Sequence, residues 1–221
     1  RESDLAEMMN LGGDERIYPA SMTKIMTALL TIENLPDLNE TITVPEDIFE
    51  ELTAQDASVA GFNPYEQPTV RDLLYGVLLP SGADACETLA RAVGGSEEGF
   101  VAMMNQKAEE LGLTNTHFEN CTGLHNDNHY STCRDIAVLM SECLKSDTFR
   151  EIVTREVYTT EATASHPEGI TLYDTMLHRF TSYEMSTTLE NGAVIEGGKT
   201  GFTDEAGQCL VSFAEYGGEE Y

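Results

Sequence analysis

Positive charge is scarce in this chain. Lys and Arg together number 12 against 39 Asp and Glu, a formal charge of −27. Only Lys24, Lys107, Lys145 and Lys199 are lysines. Partners that present phosphate need clustered Lys and Arg. The balance therefore excludes nucleic acid and anionic bilayers as main partners, while saying little about fold. Long apolar runs are also missing. None approaches the ~18 residues of a membrane helix, so no membrane anchor and no signal peptide are visible. The chain opens on Arg1 rather than Met, as a processed or cut chain would, and a missing leader is no argument for a cytoplasmic location.

Cysteine is sparse and unclustered. Residues 86, 121, 133, 143 and 209 are odd in number, with no C-x-x-C and no zinc-like spacing. Cys86, Cys143 and Cys209 lie in apolar surroundings and are expected to pack as small hydrophobes. A disulfide such as Cys121 with Cys133 is left open. His125 and His129 flank "NDN", a loop sequence, and metal binding at that spacing is best served by a helix. The expectation is a surface loop with Tyr130 tucked inward. No metal and no cofactor are expected.

What is present suits one domain of 221 residues. Helical spacing runs from Ser21 to about Leu35, and "ETITV", Glu40 to Val44, alternates like a strand. Helices are expected over Thr69–Leu79, opened by Thr69 with Asp72 three residues on, then about Asp84–Val93, Ser96–Leu111 and Thr132–Lys145. Thr132 with Asp135 reads as a helix cap. The last third, richer in Thr, Tyr, Val and Gly, reads as strands, notably "GAVIEGGKTGFT" and "GQCLVSFAEY". The pattern is α+β with a helical insert.

Three short motifs carry chemistry. In Ser21-Met22-Thr23-Lys24 the serine and lysine share a helix face. A neutral lysine can remove the hydroxyl proton that keeps serine a poor nucleophile. Lys24 must then lose its charge near neutral pH, through burial or a nearby cation such as Lys199. Ser81-Gly82-Ala83-Asp84 lies between two helices. Lys199-Thr200-Gly201 lies in a Gly-rich strand, where a cation and a hydroxyl can meet a carboxylate and Gly201 leaves room for substrate. An isolated S-x-x-K arises by chance in about one such chain in five, but S-x-x-K with K-T-G in under about one in a hundred.

S-x-x-K, a second serine motif and K-T-G resemble the signature of penicillin-binding proteins and serine β-lactamases. "YPASMTKIMTALL", "LLPSGADACETLA", "FENCTGLHNDNHYSTCRDIAVLM" and "GGKTGFTDEAGQCLV" resemble the blocks of low-molecular-mass D-alanyl-D-alanine carboxypeptidases, from about Arg16 to Val211. The resemblance implies a β-lactamase/transpeptidase-like fold, an antiparallel sheet flanked by helices. It implies Ser21 as acyl-forming nucleophile, Lys24 as general base and Ser81 as proton relay to the departing D-alanine. Lys199, Thr200 and Gly201 would bind substrate, and the backbone N–H groups of Ser21 and Phe202 would form the oxyanion hole. The partners implied are peptidoglycan stem peptides ending in D-Ala-D-Ala, with β-lactams as covalent inhibitors. The location implied is extracytoplasmic, at the cell surface, wall or periplasm.

Two departures stand out. The second motif of the family usually ends in Asn, where this chain has Ala83. Only 20 residues precede Ser21 and the chain stops at Tyr221, so a catalytic domain spanning 1–221 is expected to be incomplete at both ends. "DLAEMMNLGG" is not strand-like, whereas "YGGEEY" turns toward a further strand. A class A β-lactamase is the close rival, yet no Glu between Ser81 and Lys199 has an Asn four residues on. A catalytically weak wall-binding or sensor protein is the third reading, suggested by Ala83.

Overall fold

The computed structural model describes Glu7 and residues 9–221. Its elements run β1 (Arg16–Ile17), a 3-10 turn (Ala20–Thr23), α1 (Lys24–Asn34), α2 (Ile48–Ala54), α3 (Val70–Leu78), α4 (Ala83–Gly94) and α5 (Glu97–Glu110). They continue with β2 (Ser131–Thr132), α6 (Cys133–Cys143), α7 (Asp147–Val153), β3 (Val157–Thr159), β4 (Thr171–Tyr173), α8 (Leu177–Ser182), β5 (Val194–Thr203), β6 (Gly207–Tyr216) and β7 (Glu219–Glu220). The α+β expectation holds.

Helix α1 is the hub. Every residue from Lys24 to Thr31 is buried, because the helix touches α3, α4, α5, α6 and α7 at once. A helix surrounded in this way is apolar on all sides rather than striped, and Ile25, Met26, Ala28, Leu29 and Leu30 supply that surface. Lys24, Thr27 and Thr31 are the polar exceptions, and the two hydroxyls donate to carbonyls, Cys121 and Thr27 respectively.

The helix ends follow local chemistry. Thr69 caps α3 in a capping box with Asp72. Ser96 caps α5 and Thr132 caps α6 through the amide of Asp135. Gly95, at φ +76°, ends α4 in the left-handed conformation.

The sheet is antiparallel with order β5-β6-β7. Lys199 pairs with Val211, Thr200 with Leu210 and Gly201 with Cys209. Strand β5 is thus an edge of this sheet among the described residues, and it lies against the 3-10 turn. The expected strand after "YGG" is β7, reached through Gly217 and Gly218, both at positive φ. Two short ribbons, β1-β2 and β3-β4, complete the strands.

Several expectations are corrected. Glu40–Val44 forms no regular strand. Ile42 and Val44 donate to Pro68 and Glu66, but only Thr41 and Thr69 form a bridge, because Pro68 has no N–H to return a bond to Ile42 and the Glu66 amide turns to Asn63. The last third is not all strand. Ser146 caps α7, whose Phe149, Ile152 and Val153 face the core, and the Asp174 carboxylate accepts from the amides of Met176 and Leu177 to open α8. Each helix is too short for periodicity to reveal. The stretch "DLAEMMNLGG" lies partly outside the described residues, and its described residues carry no strand.

All five cysteines are free thiols, so Cys121 and Cys133 are not joined. Cys86 and Cys143 are buried as expected, while Cys209 is only half-buried. The "HNDNH" loop is corrected too: His129 is the side chain tucked inward, at 2% exposure, and Tyr130 stays half-buried.

Candidate active site

The three motifs, remote in sequence, meet at one site. The 3-10 turn carries Ser21, half-buried, and α1 begins with Lys24, buried. Lys24 Nζ lies 3.1 Å from Ser21 Oγ and donates to the Thr122 carbonyl at 2.6 Å. Lys199 Nζ lies 3.0 Å from Ser81 Oγ and donates to the Thr200 carbonyl at 2.9 Å. The Thr200 hydroxyl is 2.5 Å from that of Thr175.

Two residues of this site have backbone that L-residues rarely adopt. Ala20, just before Ser21, has φ +47°, and Ser81 has φ +66°. Each such residue costs about 1–3 kcal/mol unless its surroundings hold it. Gly123 passes so close to Ala20 that a Cβ there would sit 1.9 Å from the Ala20 carbonyl oxygen. On the other side, Gly82 donates to Gly76 and Ala83 to Ser58. A Cβ on Gly82 would lie 2.7 Å from the Ala60 amide nitrogen. The serine turn is thus clasped by the 58–62 segment.

Asp84 makes that clasp. Its Oδ1 accepts from the amides of Ala60 at 2.7 Å and Ala85 at 3.0 Å, and its Oδ2 from those of Gly61 at 3.0 Å and Phe62 at 3.1 Å. Burial raises its pKa, and the four amides oppose that rise. In the sequence Asp84 stands only as the last residue of the Ser81–Asp84 motif. Three of its four amides come from residues 60–62, more than 20 positions away, so no local signal announces them.

Strand β5 closes against the 3-10 turn at Gly201. A Cβ there would meet the Ser21 amide nitrogen at 2.9 Å, with Ala20 Cβ and Pro19 O at 3.1 Å. The Ser21 amide therefore lies alongside the strand that continues into Phe202, itself 56% exposed.

Burial shapes the electrostatics. It lowers the Lys24 pKa from the ordinary lysine value, while the Cys86 and Cys121 thiols and Asp84 oppose the drop. Lys199 is lowered to about 7, first by burial and then by the Lys24 charge. Of the two causes considered for discharging Lys24, burial or a nearby cation such as Lys199, burial leads, and it leads for Lys199 as well.

Among the described residues, one group of His, Cys and acidic side chains has metal-like spacing. Ligand atoms of Glu87, Glu97 and Cys121 lie within 4.8 Å of one another. Burial, followed by the Glu97 carboxylate, lifts the Glu87 pKa to about 8, so at neutral pH Glu87 keeps its proton. A cavity of about 730 Å³, lined by residues such as Val138, Met140, Val211 and Phe213, includes none of the motif residues. No helix among the described residues is long and apolar enough to cross a membrane.

Similarity to known proteins agrees with this geometry. The D-alanyl-D-alanine carboxypeptidase family (peptidase S11) matches residues 8–220. D-alanyl-D-alanine carboxypeptidase DacF of Bacillus subtilis is 35% identical over 218 residues, 98% of this chain and 53% of the relative. The D-alanyl-D-alanine carboxypeptidase of Streptomyces sp. strain K15 is 36% identical over 214 residues, 93% of this chain and 71% of the relative. The crystal structure of the Streptomyces K15 DD-transpeptidase superposes with a TM-score of 0.84 at 34% identity, covering 96% of this chain and 81% of that one. This chain spans about half the length of the Bacillus relative.

Proposed function

This chain belongs to the D-alanyl-D-alanine carboxypeptidase family, and we propose that it is the catalytic domain of a serine D-Ala-D-Ala carboxypeptidase, with Ser21 as nucleophile. The observation that carries this reading is the convergence of two lysine–serine pairs, Lys24 with Ser21 at 3.1 Å and Lys199 with Ser81 at 3.0 Å, beside the free edge of β5.

In this mechanism a stem peptide lies along β5. Its terminal carboxylate meets Lys199 and the Thr200 hydroxyl, and Gly201 lets the backbone approach. Lys24, discharged by burial, takes the Ser21 proton as Oγ attacks the carbonyl of the penultimate D-alanine. The oxyanion that forms faces the amides of Ser21 and Phe202, fixed donors whose contribution is large in a water-poor site. Collapse breaks the peptide bond. The departing D-alanine nitrogen receives a proton passed through the Ser81 hydroxyl, leaving an ester on Ser21. Water, activated by Lys24, then hydrolyses that ester and regenerates the serine. A β-lactam acylates the same oxygen, but its leaving group stays tethered and the ester persists.

Ala83 removes the amide that commonly ends the second motif in this family. The remaining groups suffice for acylation, with looser substrate positioning as the consequence. The substrate class implies action outside the cytoplasm, at the peptidoglycan layer, with secretion and a part in maintaining cell shape. The acidic surface suits such a polyanionic setting, and no nucleic acid partner is expected.

Intact-mass measurement after incubation with benzylpenicillin tests the reading. A stable one-to-one adduct on the wild type and none on Ser21→Ala is the expected result. An adduct on both places the nucleophile elsewhere. Consumption of penicillin without an adduct points instead to a β-lactamase, and an untouched drug to a wall-binding protein that has lost catalysis.

A further inference from the structure

The His129 ring has both nitrogens occupied. The Glu119 amide donates to Nδ1 at 3.1 Å. A ring nitrogen that accepts carries no proton, so the hydrogen of the neutral imidazole sits on Nε2. Nε2 lies 2.8 Å from Thr23 Oγ1 and therefore donates to it. Phe118 packs edge-on against the ring, with centroids 5.6 Å apart. Burial lowers the His129 pKa to about 4, with His117, His125 and Lys24 adding to the drop. The imidazole is thus neutral throughout the range in which an amine base can work.

Thr23 separates Met22 from Lys24 and is itself wholly buried. His129 therefore ties the turn that bears the nucleophile to the loop spanning 117–130. That loop touches the same helix twice more. The Cys121 carbonyl accepts from Thr27 Oγ1 at 2.6 Å, and the Thr122 carbonyl accepts from Lys24 Nζ at 2.6 Å. Gly123 also packs against the Ala20 carbonyl of that turn, and the remaining anchors of the loop point away from it. His117 and Tyr130 pair with each other, and Phe118 bonds to Asn105.

The Thr122 carbonyl has a directional consequence. A neutral amine has two N–H bonds and one lone pair. Spending one N–H on Thr122 restricts where the lone pair can point, and Ser21 Oγ lies 3.1 Å away. A carbonyl displaced by a fraction of an ångström would swing the lone pair off the hydroxyl proton. Such misplacement can slow a reaction by up to about a hundredfold.

We propose that His129 is a positioning residue for acylation, fixing the 117–130 loop to Thr23 so that the Thr122 carbonyl aims Lys24 at Ser21. This rests on the roles proposed above for Ser21 and Lys24. His129 acts before and during proton removal, and it touches neither the substrate nor the reacting atoms.

Stopped-flow acylation by benzylpenicillin, resolved into an encounter constant and a first-order acylation rate, tests the proposal on wild type, His129→Leu, His129→Gln and Thr23→Val. The Leu and Val variants should each lose about tenfold or more in acylation rate with the encounter constant unchanged. The double variant should lose little more, since both changes break one bond. His129→Gln should recover part of the rate, because its amide nitrogen can donate to Thr23. Acylation within about twofold of wild type for Thr23→Val, additive losses, or a loss confined to the encounter constant would each overturn the proposal. If His129→Leu does not fold, Thr23→Val decides alone, since it keeps the shape of the side chain and removes only the acceptor. Normal acylation in wild type with unaffected variants refutes the role of His129 alone. An unacylated wild type refutes the assignment of Ser21 and this role with it.

Discussion

Replacing Asp84 by Asn exchanges one carboxylate oxygen for an amide nitrogen at unchanged shape, yet the geometry predicts a large loss. An asparagine oxygen placed as Oδ1 still accepts from Ala60 and Ala85. Its amide nitrogen then faces the N–H groups of Gly61 and Phe62, 3.0 and 3.1 Å from the original oxygen. Donor meets donor, and two amides lose their acceptor. Each unsatisfied buried group costs about 1–3 kcal/mol, so the variant should be about 4 kcal/mol less stable. Within a total of about 5–15 kcal/mol it still folds. Urea unfolding measures this directly, with the slope checked for a changed denatured state. A second effect should accompany it. The 58–62 segment clasps Gly82 and Ala83, and with it loosened Ser81 is free to relax from φ +66°. Its hydroxyl then leaves Lys199, and acylation should slow by about tenfold. A stability loss under about 1 kcal/mol would refute the carboxylate argument. Full stability loss with unchanged acylation would refute the link to Ser81.

Other consequences are as direct. Gly201→Ala places a methyl 2.9 Å from the Ser21 amide nitrogen and 3.1 Å from Pro19 O and Ala20 Cβ; β5 must move away, and acylation should fall by about a hundredfold or more. A rate within about threefold of wild type would show that the strand does not fix the oxyanion site. The carboxyl of Glu87 keeps its proton in the folded state up to about pH 8, whereas the unfolded chain releases it near 4.5. Stability should therefore fall as pH rises between those values, on the order of a few kcal/mol. Glu87→Gln should flatten thermal stability across that window, and an unchanged pH dependence would count against the buried carboxyl. Ala83→Asn should raise carboxypeptidase turnover by restoring the motif amide; an equal or lower rate would refute that account of the departure.

The residues within a few positions of one another were legible from the sequence alone. Ser21 and Lys24 share a helix face because positions three apart must do so, and Thr69 with Asp72 or Thr132 with Asp135 close caps whose partners are fixed by helix geometry. The apolar run behind Ser21 marked a core helix, since only full burial accommodates it. Glu40–Val44 alternated like a strand and is not one, because strand formation depends on a partner that this segment meets at too few residues.

Tertiary structure alone decided the rest. Lys199 reaches Ser81 across 118 residues of chain, the Thr122 carbonyl takes Lys24 across 98, and His129 reaches Thr23 across 106. A backbone carbonyl has no identity in the sequence, and a histidine in a polar loop reads as solvent-exposed until its loop is folded onto a helix. The sequence singled out the Ser, Lys and Thr groups that the structure brings together. Burial and long-range hydrogen bonds determined their charges, their directions and the strained turns that hold them, because those properties belong to the packed environment and not to any residue by itself.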